Sequence, residues 1–285
     1  MRTLKTGFLL TLLTLLLVFG GEALAGRQGM TFGLIIAVLM NGIAYFFSDR
    51  IALASSGARP VSREEAPRLY AVMETLAAKG NLPMPKLYVI PQAAPNAFAT
   101  GRNPSHASVA VTEGLLELMN DDELEGVIAH ELSHVRNYDI LTTSIAATLA
   151  GAITWIAQMG RFALIFGGYG GGRDRRGGGG LETLLMLMVA PFAALLIQLG
   201  ISRQREYAAD AAGARLVGHP YGLISALEKL GAYNKRIPMT NVSPATSSLY
   251  IVRPLSAGQV FAGLFSTHPP LPDRIETLRR MTITR

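Results

Sequence analysis

A chain of 285 residues that is 49% hydrophobic and only 16% charged is too apolar for an ordinary soluble domain, yet long enough for one globular domain plus several membrane spans. The net charge of +6 and pI near 9.7 would suit nucleic acid, but the basic residues are scattered with no aromatic platform among them; anionic lipid headgroups are the simpler partner. With no cysteine, thiol nucleophiles, thiolate ligands and disulfides are excluded, so any metal must be held by imidazole and carboxylate.

The first apolar segment, Leu4 to Phe19, is short against the ~20 residues that cross hydrocarbon. Arg2 and Lys5 ahead of it and Ala23-Leu24-Ala25 behind it also fit a cleavable signal peptide. A second segment runs from Met30 to Phe47. Arg2 and Lys5 on one side, against only Glu22 and Arg27 between the two segments, place the N-terminus inside. The domain from about Ser48 to Asp139 is then cytoplasmic, and its opening residues Asp49, Arg50, Arg59 and Arg63 agree.

Within that domain Arg63 to Lys79 has helical apolar spacing, Lys86 to Ile90 reads as a strand, and Ala107 to Val111 alternates like another. Asn120 opens a helix: Glu123 completes a capping-box-like start, and the apolar pattern continues through Val127, Ile128 and Leu132. Two further hydrophobic segments, Ile140 to Gly160 and Leu181 to Ile201, follow. The linker between them, Gly167 to Gly180, carries Arg173, Arg175 and Arg176 and would face outside, against the charge bias; insertion of both segments as one hairpin accounts for this. Helices are expected over Gln204 to Val217, Tyr221 to Leu230 and Leu271 to Arg280. The fold class is a mainly α membrane protein of about four transmembrane helices with an α+β domain containing a small sheet. Its parts are residues 1–48, 49–139, 140–202 and 203–285.

His130-Glu131-Leu132-Ser133-His134 sits mid-helix, where residues four apart share a face. Two imidazoles there can hold one zinc ion at about 2.0 to 2.1 Å, leaving a position for water. Glu131 beside that water can take its proton while the metal lowers the water's pKa toward about 7, and hydroxide attack on a peptide carbonyl follows. The bland alternative is an amphipathic helix with two surface histidines. Chance alone produces the pattern on the order of once in a few hundred such chains, which favours the metal.

A third ligand is needed. His106, His219 and His268 lie in Gly/Pro-punctuated stretches poorly suited to rigid ligation. Glu206 and Asp210, four apart on an expected helix, can both face the site, Glu206 as ligand and Asp210 accepting a ligand histidine's second ring proton; equally, they fit a solvated helix face. His134 precedes the third segment by few enough residues to put the metal roughly 10 Å from the bilayer edge at about 1.5 Å per residue. Glu206 follows the fourth segment, so the intervening chain must cross an even number of times for one ion to be shared.

This motif, the downstream Glu-x-x-x-Asp and the hydrophobic pair between them resemble the HtpX family of bacterial membrane proteases, similar in turn to the CAAX prenyl endopeptidases. The likeness extends to Asn96-Ala97-Phe98-Ala99-Thr100-Gly101 and Thr267-His268-Pro269-Pro270. It implies a zincin-like metalloprotease domain with one zinc per chain on His130, His134 and Glu206, and Glu131 as base. It also implies a multi-pass protein of the bacterial inner membrane, its active site facing the cytoplasm. The implied substrates are peptides and proteins, misfolded or damaged membrane proteins above all, in a quality-control role. Asn96, Ala97 and Phe98 resemble an edge strand that pairs with substrate backbone, although Asn96 after Pro95 also suits a turn. His268 can donate to the tetrahedral oxyanion or cap the chain before Pro269. Two other readings remain: processing of a defined lipidated peptide, and a scaffold or transporter with structural zinc. The last predicts polar residues along the spans, where Asn41, Gln158, Arg161 and Gln198 are the main ones.

Overall fold

The computed structural model describes residues 2–150, 203–234, 249–252 and 269–283. The fourth hydrophobic segment, the remainder of the third, the glycine-rich linker and His268 lie outside the described residues. α1 (Arg2–Ser55) is two helices folded back on each other: at Ala25 and Gly26 the backbone leaves helical geometry, and Gly26 takes φ +61°, which costs glycine little. A Cβ on Gly21 would lie 2.1 Å from the Gly29 carbonyl oxygen, and one on Gly33 would lie 2.2 Å from that of Leu17, so the two helices touch backbone to backbone. Asn41 Nδ2 ties them further, donating to the Leu10 carbonyl at 3.2 Å and to Thr14 Oγ1 at 2.9 Å. Among the described residues one helix, Ala25–Ser55, is long and apolar enough to cross a bilayer; Thr6–Glu22 and Asp139–Ala150 are shorter apolar helices.

Four strands, β1 (Arg59–Pro60), β2 (Lys86–Ile90), β3 (Ala97–Gly101) and β4 (Ala107–Thr112), form a mixed sheet in the order β1-β2-β4-β3. β2 and β4 run parallel, and β1 and β3 pair antiparallel at the edges. β2 has the span expected of it. One face of the sheet packs Leu87, Val109 and Val111 against α2 (Pro67–Lys79) and the metal-motif helix, while the other packs Phe98 and Ala110 against the end of α1 and Ala147. With both faces covered, β3 and β4 are buried at every position.

α2 begins at Pro67 rather than Arg63, because the residue before proline disfavours the α region and proline suits the first helical position. α3 (Glu113–Leu118) was not expected; Thr112 Oγ1 caps it by accepting from Leu115 N at 3.1 Å. α4 (Asp121–Arg136) opens with a complete capping box: Glu123 N donates to Asn120 Oδ1 and Asn120 N to Glu123 Oε2, both at 2.9 Å. α5 starts at Asp139 and is described to Ala150. It joins the N-terminal hairpin through Ile145 and Leu149, with a buried Thr6–Thr142 hydrogen bond of 3.1 Å.

α6 (Arg203–Val217), α7 (Tyr221–Asn234) and α8 (Leu271–Arg279) close the domain around α4. The contacts are tight because glycine permits them. A Cβ on Gly213 would sit 2.9 Å from His130 N, and one on Gly222 would sit 2.1 Å from the Asp122 carbonyl oxygen. α6 therefore presses its backbone against α4 at the histidine motif itself.

Candidate metal centre

His130 and His134 stand one helical turn apart on α4, with Nε2 atoms 3.2 Å apart. α6 delivers Glu206 opposite them: its Oε2 is 3.8 Å from His130 Nε2, and its Oε1 is 3.6 Å from His134 Nε2. One ligand atom from each of the three side chains falls within 4.8 Å of the others, grouping them as a possible metal site. Donors about 2.0 to 2.1 Å from a tetrahedral ion are separated by roughly 3.3 Å, so these spacings suit a small divalent cation.

Each imidazole is backed by a carboxylate on its other nitrogen. His130 Nδ1 lies 2.9 Å from Asp210 Oδ1, and His134 Nδ1 lies 3.3 Å from Asp139 Oδ2. That arrangement fixes the tautomer so that Nε2 presents a lone pair toward the shared point. Burial alone would lower the His134 pKa, but the Asp139 hydrogen bond and the Glu206 and Glu131 carboxylates raise it to about 9. The surroundings thus favour positive charge at this point, which a divalent cation satisfies as well as a proton does.

Glu131 is 2% exposed. Burial raises its pKa, opposed by His130 and His134 and reinforced by Glu206, and the Ala99 backbone N–H steadies the carboxylate. A carboxylate made more basic in this way suits proton abstraction. The cavity at the donors is lined by Ala99, Glu131, Thr143, Arg205, Leu249 and Tyr250 among others, so β3 forms one wall.

Sequence patterning missed two participants. Arg274 on α8 is fully buried and clamps Asp210 with two bonds, Nε to Oδ2 at 2.8 Å and Nη2 to Oδ1 at 2.7 Å. Burial would raise the Asp210 pKa, but Arg274's charge and hydrogen bonds, with those of His130, hold it down to about 2. Arg274 Nη2 also lies 3.5 Å from His130 Nδ1, a marginal contact since that nitrogen's proton is directed at Asp210. Asp139 was hidden because it opens an apolar segment; it also lies 3.6 Å from Arg205. The available signal for Arg274 was the four-residue step from Pro270 to an arginine in the last helix, which is too common to single it out.

Of the residues resembling a substrate rail, Asn96 is fully buried and Ala97 begins β3. Thr112 N donates to the Asn96 carbonyl at 2.9 Å, so Asn96 and, by alternation, Phe98 address β4, while the backbone groups of Ala97 and Ala99 point off the sheet edge. The Phe98 ring packs edge-on against Tyr250 at 5.1 Å. His106, as expected, is peripheral; its Nδ1 meets Asn103 Oδ1 at 2.9 Å. His219 stacks on the exposed Tyr221.

A histidine pair and a carboxylate converging from two helices, with a glutamate between the histidines, define a metallopeptidase-like centre. The sequence profile of peptidase family M48 matches residues 63–282, and the chain belongs to that family of metalloproteases. A protease HtpX homolog of Desulfatibacillum aliphaticivorans is 54% identical over 275 residues, covering 96% of this chain and 88% of the relative. Another, of Syntrophotalea carbinolica, is 52% identical and covers 99% of this chain and all of its own. The chain is accordingly of the HtpX type. The crystal structure of S. mikatae Ste24p superposes with a TM-score of 0.52 at 21% identity, covering 97% of this chain. This chain spans 64% of that protein's length, and the likeness is one of fold.

Proposed function

We propose that this metalloprotease is a zinc-dependent endopeptidase of the bacterial inner membrane, cleaving misfolded or damaged membrane proteins at the cytoplasmic face. The observation that carries the chemistry is the meeting of His130, His134 and Glu206 donor atoms within 4.8 Å, beside the buried Glu131. These three side chains would hold one zinc per chain, which when bound would supply Lewis acidity toward a water and the scissile carbonyl. Glu131 takes the proton from that water and returns it to the leaving amine. Asp210 keeps His130 oriented, Asn96 immediately precedes and Ala97 and Phe98 belong to the strand along which substrate backbone aligns, and His268 is the candidate donor to the oxyanion.

The membrane reading rests on the apolar face that α1 leaves uncovered: Phe32, Val38, Leu39 and Phe46 are each more than half exposed. Such a band is costly in water and suited to lipid. Four spans are proposed, the N-terminal hairpin and the segments flanking the glycine-rich linker, with the division 1–48, 49–139, 140–202 and 203–285. Because α4 and α6 donors converge, the chain between them must return to the side it left, which two spans achieve.

The test is purification in detergent, zinc quantification per chain, and casein cleavage by wild type and Glu131→Gln. The variant should keep one zinc while cleavage falls about 10²- to 10⁴-fold. Equal cleavage by both proteins rules out Glu131 as the base, and activity without metal rules out the whole scheme.

A further inference from the structure

The outward edge of β3 is not open to solvent. Ile251 N donates to the Ala97 carbonyl at 2.9 Å, so a short stretch of the same chain lies along the strand. Asn96 grips the next residue from both sides: its Nδ2 donates to the Val252 carbonyl at 2.7 Å, and its Oδ1 accepts from Val252 N at 3.3 Å. The Ile251 carbonyl accepts from Arg274 Nη1 at 3.0 Å, using the guanidinium that also clamps Asp210. Four successive backbone groups of Ile251 and Val252 are thus satisfied by groups that would serve any extended peptide equally well, since none reads a side chain. Leu249, Tyr250 and Ile251 line the same cavity as His130, Glu131 and Glu206. Tyr250 is 1% exposed, its ring against Phe98.

We propose that residues 249–252 are an internal competitor for the substrate edge: a strap that occupies β3 in the resting enzyme and must leave before an extended peptide can pair there. The inference rests on the reading of β3 as the substrate strand of a metalloprotease. Its physical basis is competition for one group: among the described residues the strap pairs with β3 through the Ala97 carbonyl, the outward-facing acceptor that an extended peptide would also use. Occupancy of the edge by the strap lowers apparent substrate affinity by the fraction of molecules in which the edge is free, leaving the chemical step untouched.

Two measurements test this on the full-length zinc-loaded protein in detergent. In Glu131→Gln enzyme, which should bind substrate without cleaving it, a saturating unstructured β-casein peptide should speed hydrogen exchange at the Ile251 and Val252 amides at least tenfold. Unchanged or slower exchange there overturns the strap and makes the segment a fixed wall. Ile251→Pro removes the N–H that reaches Ala97. With zinc content and melting temperature preserved, the KM for the same peptide should fall three- to tenfold while kcat stays within twofold. A raised KM or a lowered kcat in that folded variant overturns the proposal; should the variant not fold, exchange in the Glu131→Gln protein decides alone. Failure of the underlying reading shows differently, as wild-type cleavage that is indifferent to chelator or to Glu131→Gln. Chelator-sensitive cleavage with protected Ile251 and Val252 amides sinks the strap alone.

Discussion

At the scale of single residues, Arg274, Asp210 and His130 form a buried series that runs from α8 through α6 to α4. Removing the arginine leaves Asp210, 1% exposed, as an uncompensated buried charge. Arg274→Met should therefore cost about 3 to 5 kcal/mol of stability. It should also lower zinc affinity about 10- to 100-fold, since Asp210 would no longer hold the His130 ring in place. Arg274→Lys keeps the charge but loses the two-pronged fork, and should fall between. Thermal melting and competition with a zinc chelator measure the two effects; a variant matching wild type in both would remove Arg274 from the site. The same series sets a pH dependence. The folded pKa of Asp210, about 2, is below its ordinary value of 3.8, so its contribution is complete above about pH 4 and is lost as pH falls toward 2. Wild type should lose more melting temperature across that window than Asp210→Asn. A parallel decline in both would show that the carboxylate carries no such linkage.

At the scale of elements, the site depends on how closely α6 approaches α4, and that closeness was not legible in the amino-acid pattern. The motif helix itself was, because Asn120, Glu123 and the apolar positions between Leu124 and Leu132 are local signals that survive burial. β2 kept its expected span for the same reason. β3 was suggested only by its resemblance to a known segment. Ala-Phe-Ala-Thr-Gly has no polar–apolar alternation to detect, since packing on both faces makes every position internal. β1 is two residues long and exists only as a partner to β2, so nothing local could announce it. Tertiary contact also decides the role of Gly213, an unremarkable glycine in a run of alanines until its Cα is seen against His130. Gly213→Val should push α6 outward at the turn that follows Asp210. The expected result is a loss of about 1 to 3 kcal/mol together with weaker zinc retention, because Glu206 and the histidines no longer converge. The control is Ala211→Val, on the same helix but not among its fully buried residues. If zinc titration and melting show Gly213→Val no worse than the control, helix contact does not set the metal geometry.

At the scale of the whole molecule, the catalytic domain and the apolar hairpin are one packed object. α5 starts three residues beyond α4, contributes Asp139 to the centre, and at Ser144 meets Thr100 of β3 at 2.7 Å before packing on the N-terminal helices. A site built this way sits at a fixed height relative to the hairpin, so sidedness can be tested on the hairpin alone. In the proposed topology Arg2 and Lys5 lie inside, the turn near Arg27 outside and the domain after Phe47 inside again, the arrangement the positive-inside bias favours. A chain without cysteine permits a direct test with single cysteines at exposed Arg27 and Glu64, each labelled in intact cells by a membrane-impermeant maleimide. Arg27→Cys should react once the outer membrane is permeabilised. Glu64→Cys, on the domain side, should react only after the inner membrane is opened. Labelling of both before that step would place the metal site outside the cytoplasm, and labelling of neither would mean that the first hairpin does not cross. The reverse order would invert the topology while leaving the convergence of His130, His134 and Glu206 intact, because that convergence requires only that α4 and α6 emerge on one side.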